Sequence, residues 1–330
     1  MFRKKYPIAY QVASSIDVDK IASKNVELVP ILLLNGFGVG SFHQHSLMRQ
    51  ILLLQQSQID QISKQQQRQR KEEYVIFGVD YLGQGQSWPQ NCDDGNSKDE
   101  LNLGYSADMW LDQLKSFIEE VVLVTVAGEK GLHLVGNSVG GYLAAILTHR
   151  HPSLITSLTL MNATPIWGLN LPFWDGKLPA PSFPKFVGRQ AFDTIRDLNI
   201  IDQYLTAAYI HREAFDGTHD DSFDGCSNKG EQKRGLGREI RACTEGKGGH
   251  AAFASIMWSA PASDLADESK PVSFYDILRN LSTDTLLLFG SGDMWCTPAV
   301  AKRMHTTLDV RDDETDDPPA QRYISLENVG

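Results

Sequence analysis

The sequence predicts an α/β fold with a mostly parallel sheet and helices on both of its faces. Short apolar segments with the length of buried strands recur between residues 30 and 165. These segments are residues 31–34, 75–80, 132–136 and 158–162. Helical segments separate them, and such alternation is typical of parallel βαβ units. Strand character returns at 285–289 and 323–326, so we expect the sheet to continue there.

The helices are predicted from apolar residues that recur every three or four positions. Ser106 suits an N-cap, and the segment after it places Trp110, Leu114, Phe117 and Val121 on one stripe that should face the sheet. Further helices are expected at 142–149, near 195–208 and after Pro298.

Composition excludes several classes of function. Lys and Arg number 31 against 41 Asp and Glu, a formal charge of −10, so we expect no nucleic-acid partner. No apolar run reaches the roughly 18 residues of a membrane-spanning helix. The first ten residues lack the apolar centre of a targeting peptide, and we expect none in this sequence. Cys92, Cys226, Cys243 and Cys296 lack metal-type spacing, so we expect no metal and no cofactor.

The 330 residues suit one domain with an inserted element. After Asn162 the composition shifts to Pro, Gly and aromatic residues, which favours a lid inserted over the site. We therefore predict a first core part at 1–164, a lid at 165–282 and a second core part at 283–330. Within the lid, residues 216–250 are rich in glycine and charge, so we expect a mobile loop there.

The strongest chemical motif is Gly136-Asn137-Ser138-Val139-Gly140-Gly141, which lies between a predicted strand and an apolar helix. It fits the G-x-S-x-G nucleophile elbow in the strand, turn, helix context that this motif requires. The motif predicts an α/β-hydrolase fold with Ser138 as the nucleophile. Its glycines leave room for a strained turn that projects the serine from the sheet edge.

A serine nucleophile also needs donors for the developing oxyanion and an acid to orient its base. The loop at 35–38 follows the first strand of the repeat, so we expect the backbone N–H groups of Phe37 and Val139 to form the oxyanion hole. Asp293 follows the strand at 285–289 and is the predicted acid. Some members of the fold carry the acid after the preceding strand, but that strand here ends in Asn162 without a carboxylate.

The base is the missing member of this set. A histidine should follow the last strand, yet no histidine lies beyond His305. None of the histidines that we considered is expected to accept the Ser138 proton while facing Asp293. Those residues are His43, His45, His133, His149, His151, His250 and His305.

The chain resembles the plant and algal pheophytinase family. The specific part of the resemblance is Gly-Phe-Gly-Val-Gly-Ser-Phe-His at 36–43. Other matching segments lie at 80–87, 136–141, 160–168 and 252–257. The resemblance implies a plastid enzyme that releases phytol from pheophytin or a related chlorin. It also implies a catalytic histidine directly after a glycine that matches Gly330, so we expect the sequence to be truncated one residue short of its base.

For such a substrate we predict contacts from the matching loop and from the aromatic lid. The expected substrate-binding residues are Phe42, His43, Trp167, Phe253 and Met257. A long isoprenoid chain gains about 0.8 kcal/mol per methylene that such side chains bury. The alternative is that the lid aromatics only pack the lid on the core.

Two other functions stay open at this point. Carbon–carbon bond hydrolases of the same fold can share the Gly-Asn-Ser elbow. If the chain truly ends at Gly330, a ligand-binding protein that grips a chlorin or terpenoid without turnover is the second alternative. Epoxide hydrolases and haloalkane dehalogenases need a carboxylate where Ser138 stands, which argues against both.

Overall fold

The computed structural model describes residues 6–15, 26–62, 71–88, 105–126, 131–167, 190, 193–210, 236–244, 261–310 and 319–329. The strands are β1 (Tyr10–Ser14), β2 (Val26–Leu34), β3 (Lys71–Val79), β4 (Leu132–Asn137), β5 (Ile155–Met161), β6 (Asp284–Gly290) and β7 (Gln321–Leu326). The main helices are α1 (His45–Ile62), α2 (Ala107–Phe117), α3 (Val139–Arg150), α4 (Leu198–Ala208), α5 (Leu236–Ala242), α6 (Phe274–Arg279) and α7 (Pro298–Asp309).

These strands form one sheet in the order β1-β3-β2-β4-β5-β6-β7. Only the pairing of β1 with β3 is antiparallel, and all other neighbours run parallel. The predicted α/β-hydrolase architecture is therefore confirmed. The carboxyl ends of β2, β4, β5 and β6 meet at one edge, which is where ligands bind in parallel sheets.

Strand β2 begins five residues before the predicted segment 31–34. Its residues 26–30 pair with β3 alone, whereas Ile31 is the first to pair with β4 as well. A strand with one neighbour carries a mixed polar and apolar pattern. The apolar run at 31–34 therefore predicted only the part of β2 that has a neighbouring strand on both sides.

Helix α2 has the predicted cap and the predicted face. The Ser106 hydroxyl oxygen accepts a hydrogen bond from the Met109 N–H at 3.2 Å. Trp110, Leu114 and Phe117 are buried. The helix then continues through a π-helical turn at Ile118–Val122. Among the described residues no helix has both the length and the apolarity that crossing a membrane demands.

An aromatic cluster joins the sheet, three helices and the segment after β5. Trp110 stacks on Tyr81 with ring centroids 4.7 Å apart, and Tyr142 stacks on Phe274 at 5.6 Å. Trp167 lies between the two pairs, 5.3 Å from Trp110 and 5.6 Å from Tyr142. Since Trp167 is only 3% exposed, its indole packs the core, and we do not assign it to substrate binding.

The segment 261–282, which we expected in the lid, packs on the core. Ala262 is fully buried and its N–H donates to the Tyr142 hydroxyl at 3.2 Å. Asp108 of α2 accepts hydrogen bonds from the N–H and the hydroxyl of Ser263. Helix α6 buries Phe274 and Leu278 in the same core. The part of the sequence that can form a lid thus ends before residue 261, because the segment 261–282 has apolar residues at core positions.

Helices α4 and α5, which fall in the predicted lid range 165–282, lie against each other, with Gly237 of α5 beside Ile201 and Leu205 of α4. The mobile loop expected at 216–250 is thus wrong for 236–244. Leu236 and Ile240 have helical spacing, which the surrounding glycines and charges concealed. Residues 216–235 and 245–250 lie outside the described residues.

We expect Trp167→Ala to lower the free energy of unfolding by about 3–5 kcal/mol, because it empties a large site in the aromatic cluster. The matched control is Trp295→Ala, since Trp295 is 61% exposed. It should change the free energy by no more than about 0.5 kcal/mol. Urea unfolding followed by circular dichroism measures both. Equal losses in the two variants would show that Trp167 is not a core residue.

Candidate active site

Ser138 lies in a strained turn between β4 and α3. Its φ of 54° and ψ of −118° are costly for a residue with a side chain. Four hydrogen bonds involve the backbone of Ser138. Its N–H donates to the Met161 carbonyl at 3.1 Å, and its carbonyl accepts from Gly141 at 2.9 Å, from Tyr142 at 3.3 Å and from Thr164 at 3.1 Å. Met161 at the end of β5 and Thr164 beyond it therefore hold the serine backbone from both sides.

The glycines of the elbow are required by close backbone packing. A Cβ on Gly136 would lie 2.5 Å from the Gly140 carbonyl oxygen, and a Cβ on Gly140 would lie 2.6 Å from the Leu34 carbonyl oxygen. A Cβ on Gly141 would likewise clash with the Cβ of Ala163. Backbone atoms cannot move aside as a side chain can. The motif that identified Ser138 in the sequence is thus the steric condition for the turn.

The loop after β2 lies directly beside the serine. A Cβ on Gly36 would be 3.3 Å from the Ser138 Cβ and 3.8 Å from its hydroxyl oxygen. Asn35 is fully buried, and its side-chain amide donates to the carbonyls of Val39 at 2.8 Å and Gly36 at 3.1 Å. These two hydrogen bonds fix the loop that contains Phe37. Val139 is the first residue of α3, where backbone N–H groups have no intrahelical acceptor.

The turn after β3 supports the same loop through buried side chains. Asp80 accepts from the backbone N–H of Ser41 at 2.6 Å with one carboxylate oxygen and from that of Gln86 at 2.8 Å with the other. The Gln84 side-chain oxygen accepts from the Gly38 N–H at 2.7 Å. The sequence indicated only a tight turn at 80–87. Its role as the support of the β2 loop depends on contacts about 40 residues apart.

Asp293 lies in the loop after β6, at the predicted place for the acid. One carboxylate oxygen accepts from the backbone N–H groups of Trp295 at 2.7 Å and Cys296 at 2.9 Å. The other accepts from the Asn162 side-chain amide at 2.5 Å. Three donors therefore fix the orientation of this carboxylate, which stays half-buried.

Asn162 was missed as a site residue in the sequence, because only the absence of a carboxylate was noted there. It follows β5 with a φ of 40°, in the left-handed region. Its side-chain oxygen accepts from the Gly290 N–H at 2.9 Å while its amide donates to Asp293. Its positive φ and its position at a strand end distinguish this residue in the structure, but a sequence pattern indicates both features only weakly.

Residues 209 and 210, which follow α4, contact both loops of the site. The Tyr209 hydroxyl is 2.8 Å from the His43 Nε2. Ile210 packs on Gly292, the residue before Asp293. His43 is on the 3₁₀ turn Ser41–Gln44, so residues 209 and 210 connect the β2 loop with the acid loop. Tyr209 could not be identified from the sequence, since it belongs to no motif.

The polar groups of this contact are neutral near pH 7. Burial lowers the pKa of His43 from its ordinary value of 6.5. Burial, followed by the charge of Asp293, raises the pKa of Tyr209 to about 12. The His43 Nδ1 is buried and has no hydrogen-bond partner. An unpaired buried nitrogen is costly, so it marks a place where a water molecule or a ligand group would be stabilised.

The turn after β7 is tied to the acid loop. The Gly292 N–H donates to the Val329 carbonyl at 2.8 Å, and the Ser291 N–H donates to the Leu326 carbonyl at 2.9 Å. The Asn328 N–H donates to the Ser291 hydroxyl at 3.1 Å. Residue 329 therefore lies beside the residue that precedes Asp293.

The remaining residues named from the sequence lie on other elements of the fold or outside the described residues. Phe42 is half-buried on the turn that carries His43. Phe253 and Met257 lie outside the described residues. Of the histidines considered as a base, His45 contacts Gln11 and His133 contacts Ser157, while His149 and His151 lie where α3 ends, away from Ser138. His250 is not among the described residues.

The strand order and the strained serine together define the class of protein, a hydrolase built on a parallel α/β sheet. A family profile described as the alpha/beta hydrolase fold matches residues 29–200, about half of the sequence. The chain belongs to the α/β hydrolase fold family.

The comparisons also name similar proteins. Pheophytinase of Arabidopsis thaliana, a chloroplastic protein, is 30% identical over 173 residues, which cover 46% of this chain and 31% of that protein. An esterase from Exiguobacterium antarcticum superimposes with a TM-score of 0.58 at 16% identity over 98% of this chain and 88% of that one. A meta-cleavage product hydrolase superimposes with a TM-score of 0.54 at 16% identity over 98% and 88%. The two structural likenesses show the fold alone.

The lowered pKa of His43 predicts that stability falls as the pH drops below about 6.5. In that range the unfolded chain binds a proton that folded His43 does not bind, so the free energy of unfolding must decrease. We expect His43→Gln to reduce this decrease between pH 7 and pH 5. Part of it should remain, because burial also lowers the pKa of His133 and His151.

The measurement is urea unfolding at several pH values. Tyr209→Phe is the matched control, since it removes the hydroxyl that contacts His43 and leaves the histidine in place. It should retain the pH dependence of the parent. An unchanged pH dependence in His43→Gln would contradict the assignment to His43.

Proposed function

We propose that this hydrolase cleaves carboxylic esters, with Ser138 as the nucleophile and Asp293 as the acid of its catalytic set. One observation carries the proposal. Met161 at the end of β5 and Thr164 beyond it bind the Ser138 backbone, and between these two residues Asn162 binds the Asp293 carboxylate. The serine and the acid are thus held in a fixed relation by one short piece of backbone.

In the proposed reaction the Ser138 hydroxyl attacks the ester carbonyl while a base removes its proton. The negative charge that develops on the carbonyl oxygen is stabilised by the backbone N–H groups of Phe37 and Val139. A preorganised donor of this kind contributes about 3–4 kcal/mol to transition-state stabilisation. The bracing of the β2 loop by Asn35, Asp80 and Gln84 supports this role, because an oxyanion donor must not move during the reaction.

The turn after β7 is the place from which a base can reach both groups. Its carbonyl at Val329 is hydrogen-bonded to Gly292, so one or two further residues span only about 4–8 Å from there. A histidine in that position would orient one ring nitrogen towards the Asp293 carboxylate and the other towards Ser138. Among the described residues the donors to that carboxylate are Asn162, Trp295 and Cys296, and a carboxylate can accept one more hydrogen bond, which supports this arrangement.

For the substrate we propose a lipophilic ester, most specifically the phytyl ester of pheophytin or a related chlorophyll derivative. The partial likeness to Arabidopsis pheophytinase supports the pigment, and the same likeness is the only support for a chloroplast location. The rim of the acid loop supports an apolar ligand. Exposed there are Met294 at 72%, Trp295 at 61% and Ile210 at 50%. Phe42 and His43 are the proposed contacts on the opposite loop.

We expect Ser138→Ala and Asp293→Asn, each made in the chain extended by one histidine after Gly330, to lower kcat/KM for ester hydrolysis by at least about 10³-fold, because each then removes a member of a cooperating set. The assay measures phytol released from pheophytin and the cleavage of a short p-nitrophenyl ester. The controls are Ser57→Ala and Asp276→Asn, which change exposed side chains on α1 and α6 and should keep the parent rate.

Other outcomes would favour the alternatives. Cleavage of a phenyl-dienoate diketone in preference to both esters would indicate a carbon–carbon bond hydrolase. Saturable binding of pheophytin without release of phytol, unchanged in Ser138→Ala, would indicate a ligand-binding protein. Equal ester hydrolysis by Ser138→Ala and the parent would refute the proposed nucleophile.

We also expect one histidine added directly after Gly330 to raise the rate of ester hydrolysis by about 10²-fold or more, the usual contribution of a positioned general base. The matched control adds an alanine at the same place. The gain should vanish in the background of Asp293→Asn. A rate that is the same with histidine and with alanine would show that the turn after β7 does not deliver a base to Ser138.

A further inference from the structure

We propose that the edge of the sheet beside Ser138 and Asp293 docks on a lipid surface with uncharged or zwitterionic headgroups. The contact is made by a set of exposed apolar side chains, which we call the apolar rim. Its members are Ile166, Tyr204, Ile210, Met294, Trp295 and Val329. Under the proposed function three of these residues support an apolar ligand, whereas here the whole rim contacts the surface on which such an ester resides. The choice of a lipid surface therefore rests in part on the proposed lipophilic ester.

The place of the rim follows from the topology of the sheet. Strands β5, β6 and β7 are parallel neighbours, so the segments that follow them lie at one edge. Ile166 follows β5, Met294 and Trp295 follow β6, and Val329 follows β7. All four side chains are exposed, with 67% of Ile166 accessible to solvent. Three neighbouring loops beside the proposed nucleophile and acid thus present apolar side chains to solvent.

Residues on and after α4 extend the rim. The Tyr204 ring lies 5.7 Å from the Trp295 ring, and both residues remain exposed. Ile210 packs on Gly292, whose N–H donates to the Val329 carbonyl at 2.8 Å. Direct contacts therefore join the helix, the acid loop and the turn after β7 into one surface. Neighbouring strands are about 4.8 Å apart. A surface that spans three strands and a helix is wider than the single alkyl chain of a substrate.

The side chains of the rim suit the boundary between water and lipid. Tryptophan and tyrosine are enriched at that boundary, because an apolar ring carries one polar group that stays hydrated. Trp295 and Tyr204 supply such rings. Ile166, Ile210 and Met294 are apolar throughout, so they gain free energy when acyl chains replace water around them. Exposed apolar patches of this kind mark sites of interaction on proteins.

Charge selects the kind of lipid. The segments 162–167, 204–210, 291–297 and 327–329 contain no Lys or Arg, and their charged residues are Asp293 and Glu327. The whole chain also has a formal charge of −10. Anionic headgroups are attracted by clusters of Lys and Arg, which these segments lack. The rim therefore fits a lipid surface without net charge.

A second copy of the chain is a poorer occupant of the rim. If two rims docked on each other, the Asp293 and Glu327 carboxylates of both copies would enter one interface. Buried carboxylates without a cationic partner are costly, and the described segments of the rim supply no Lys or Arg. A layer of hydrated headgroups instead leaves these carboxylates in contact with water.

The experiment measures binding to phosphatidylcholine vesicles without any ester, by co-sedimentation and by the shift of tryptophan emission. We expect the parent chain to bind and Trp295→Ala to bind at least about tenfold more weakly, because it removes the largest side chain of the rim. Trp295→Phe should recover most of the binding. Circular dichroism checks that each variant is folded.

The matched control is Leu265→Ala, which also removes an exposed apolar side chain. Leu265 is 69% exposed, but it lies beside the segment that is tied through Ser263 to Arg150, the last residue of α3. Helix α3 begins at the site and ends away from it, so Leu265 is outside the rim. This variant should bind like the parent. Equal losses in Leu265→Ala and Trp295→Ala, or no binding by the parent, would overturn the proposal.

Lipid composition and salt separate apolar docking from attraction between charges. Replacing about a third of the phosphatidylcholine by phosphatidylserine should weaken binding about twofold or more, because both surfaces are then negative. Raising the salt from about 0.05 M to about 0.5 M should not weaken binding to phosphatidylcholine. Binding that requires phosphatidylserine and is lost in salt would overturn the uncharged surface.

Two other results would assign the rim to a different occupant and overturn the proposal. One is dimerisation in sedimentation velocity that Trp295→Ala abolishes, without binding to vesicles. The other is unchanged vesicle binding by Trp295→Ala together with a raised KM for dispersed p-nitrophenyl palmitate, measured in the chain extended by one histidine. That result would assign the rim to the alkyl chain of the substrate alone.

Vesicle binding requires no catalysis, so its failure is distinct from a failure of the proposed function. Ser138→Ala should bind vesicles as tightly as the parent. If this variant also hydrolysed esters at the parent rate, the proposed nucleophile would be wrong. Vesicle binding by the parent and Trp295→Ala would still decide whether the rim docks on lipid.

Discussion

The structure of this site depends on the close approach of α3 to the sheet at Ser138. The serine adopts a φ of 54° only because the backbone around it leaves no alternative. The carbonyl oxygens of Leu34 and Gly140 occupy the space in which a side chain at Gly140 or Gly136 would lie. The strain is offset by hydrogen bonds to Met161 at the end of β5, to Thr164 beyond it, and to Gly141 and Tyr142 of α3.

A second constraint is the set of hydrogen bonds that buried side chains make to the backbone around the β2 loop, although the Asn35 Oδ1 and the Gln84 Nε2 have no partner among the described residues. Asn35, Asp80 and Gln84 are almost completely buried, and each forms hydrogen bonds with backbone groups of this loop or of its neighbours. Such side chains would be costly without their partners, which makes one conformation of the loop much more stable than its competitors. The loop beside Ser138 is therefore rigid for a reason independent of any substrate.

The sequence was sufficient for strands β2 to β7 and for the turns on which Ser138 and Asp293 lie. The strands were predicted because buried parallel strands are continuous apolar runs, and Ser138 and Asp293 were predicted because each follows such a run at a recognisable turn. Asn162, Asp80 and Tyr209 could not be assigned their contacts, since each depends on a partner far away in the sequence. The lid boundary was misjudged for a related reason, because residues 261–282 have a lid-like composition but apolar residues that fit the core.

The same reasoning explains why an aromatic residue near a site is a poor guide to substrate binding. Trp167 lies five residues beyond Asn162, yet its ring turns into the cluster of Trp110 and Tyr142. Tyr209 has no motif around it. Its hydroxyl nevertheless contacts His43, and the charge of Asp293 contributes to its raised pKa. Because Tyr209 and Ile210 touch the β2 loop and the acid loop at once, a displacement of this lid segment must disturb both loops together. Tyr209 and Ile210 are thus part of the geometry of the site, since they contact the loops that carry His43 and Asp293.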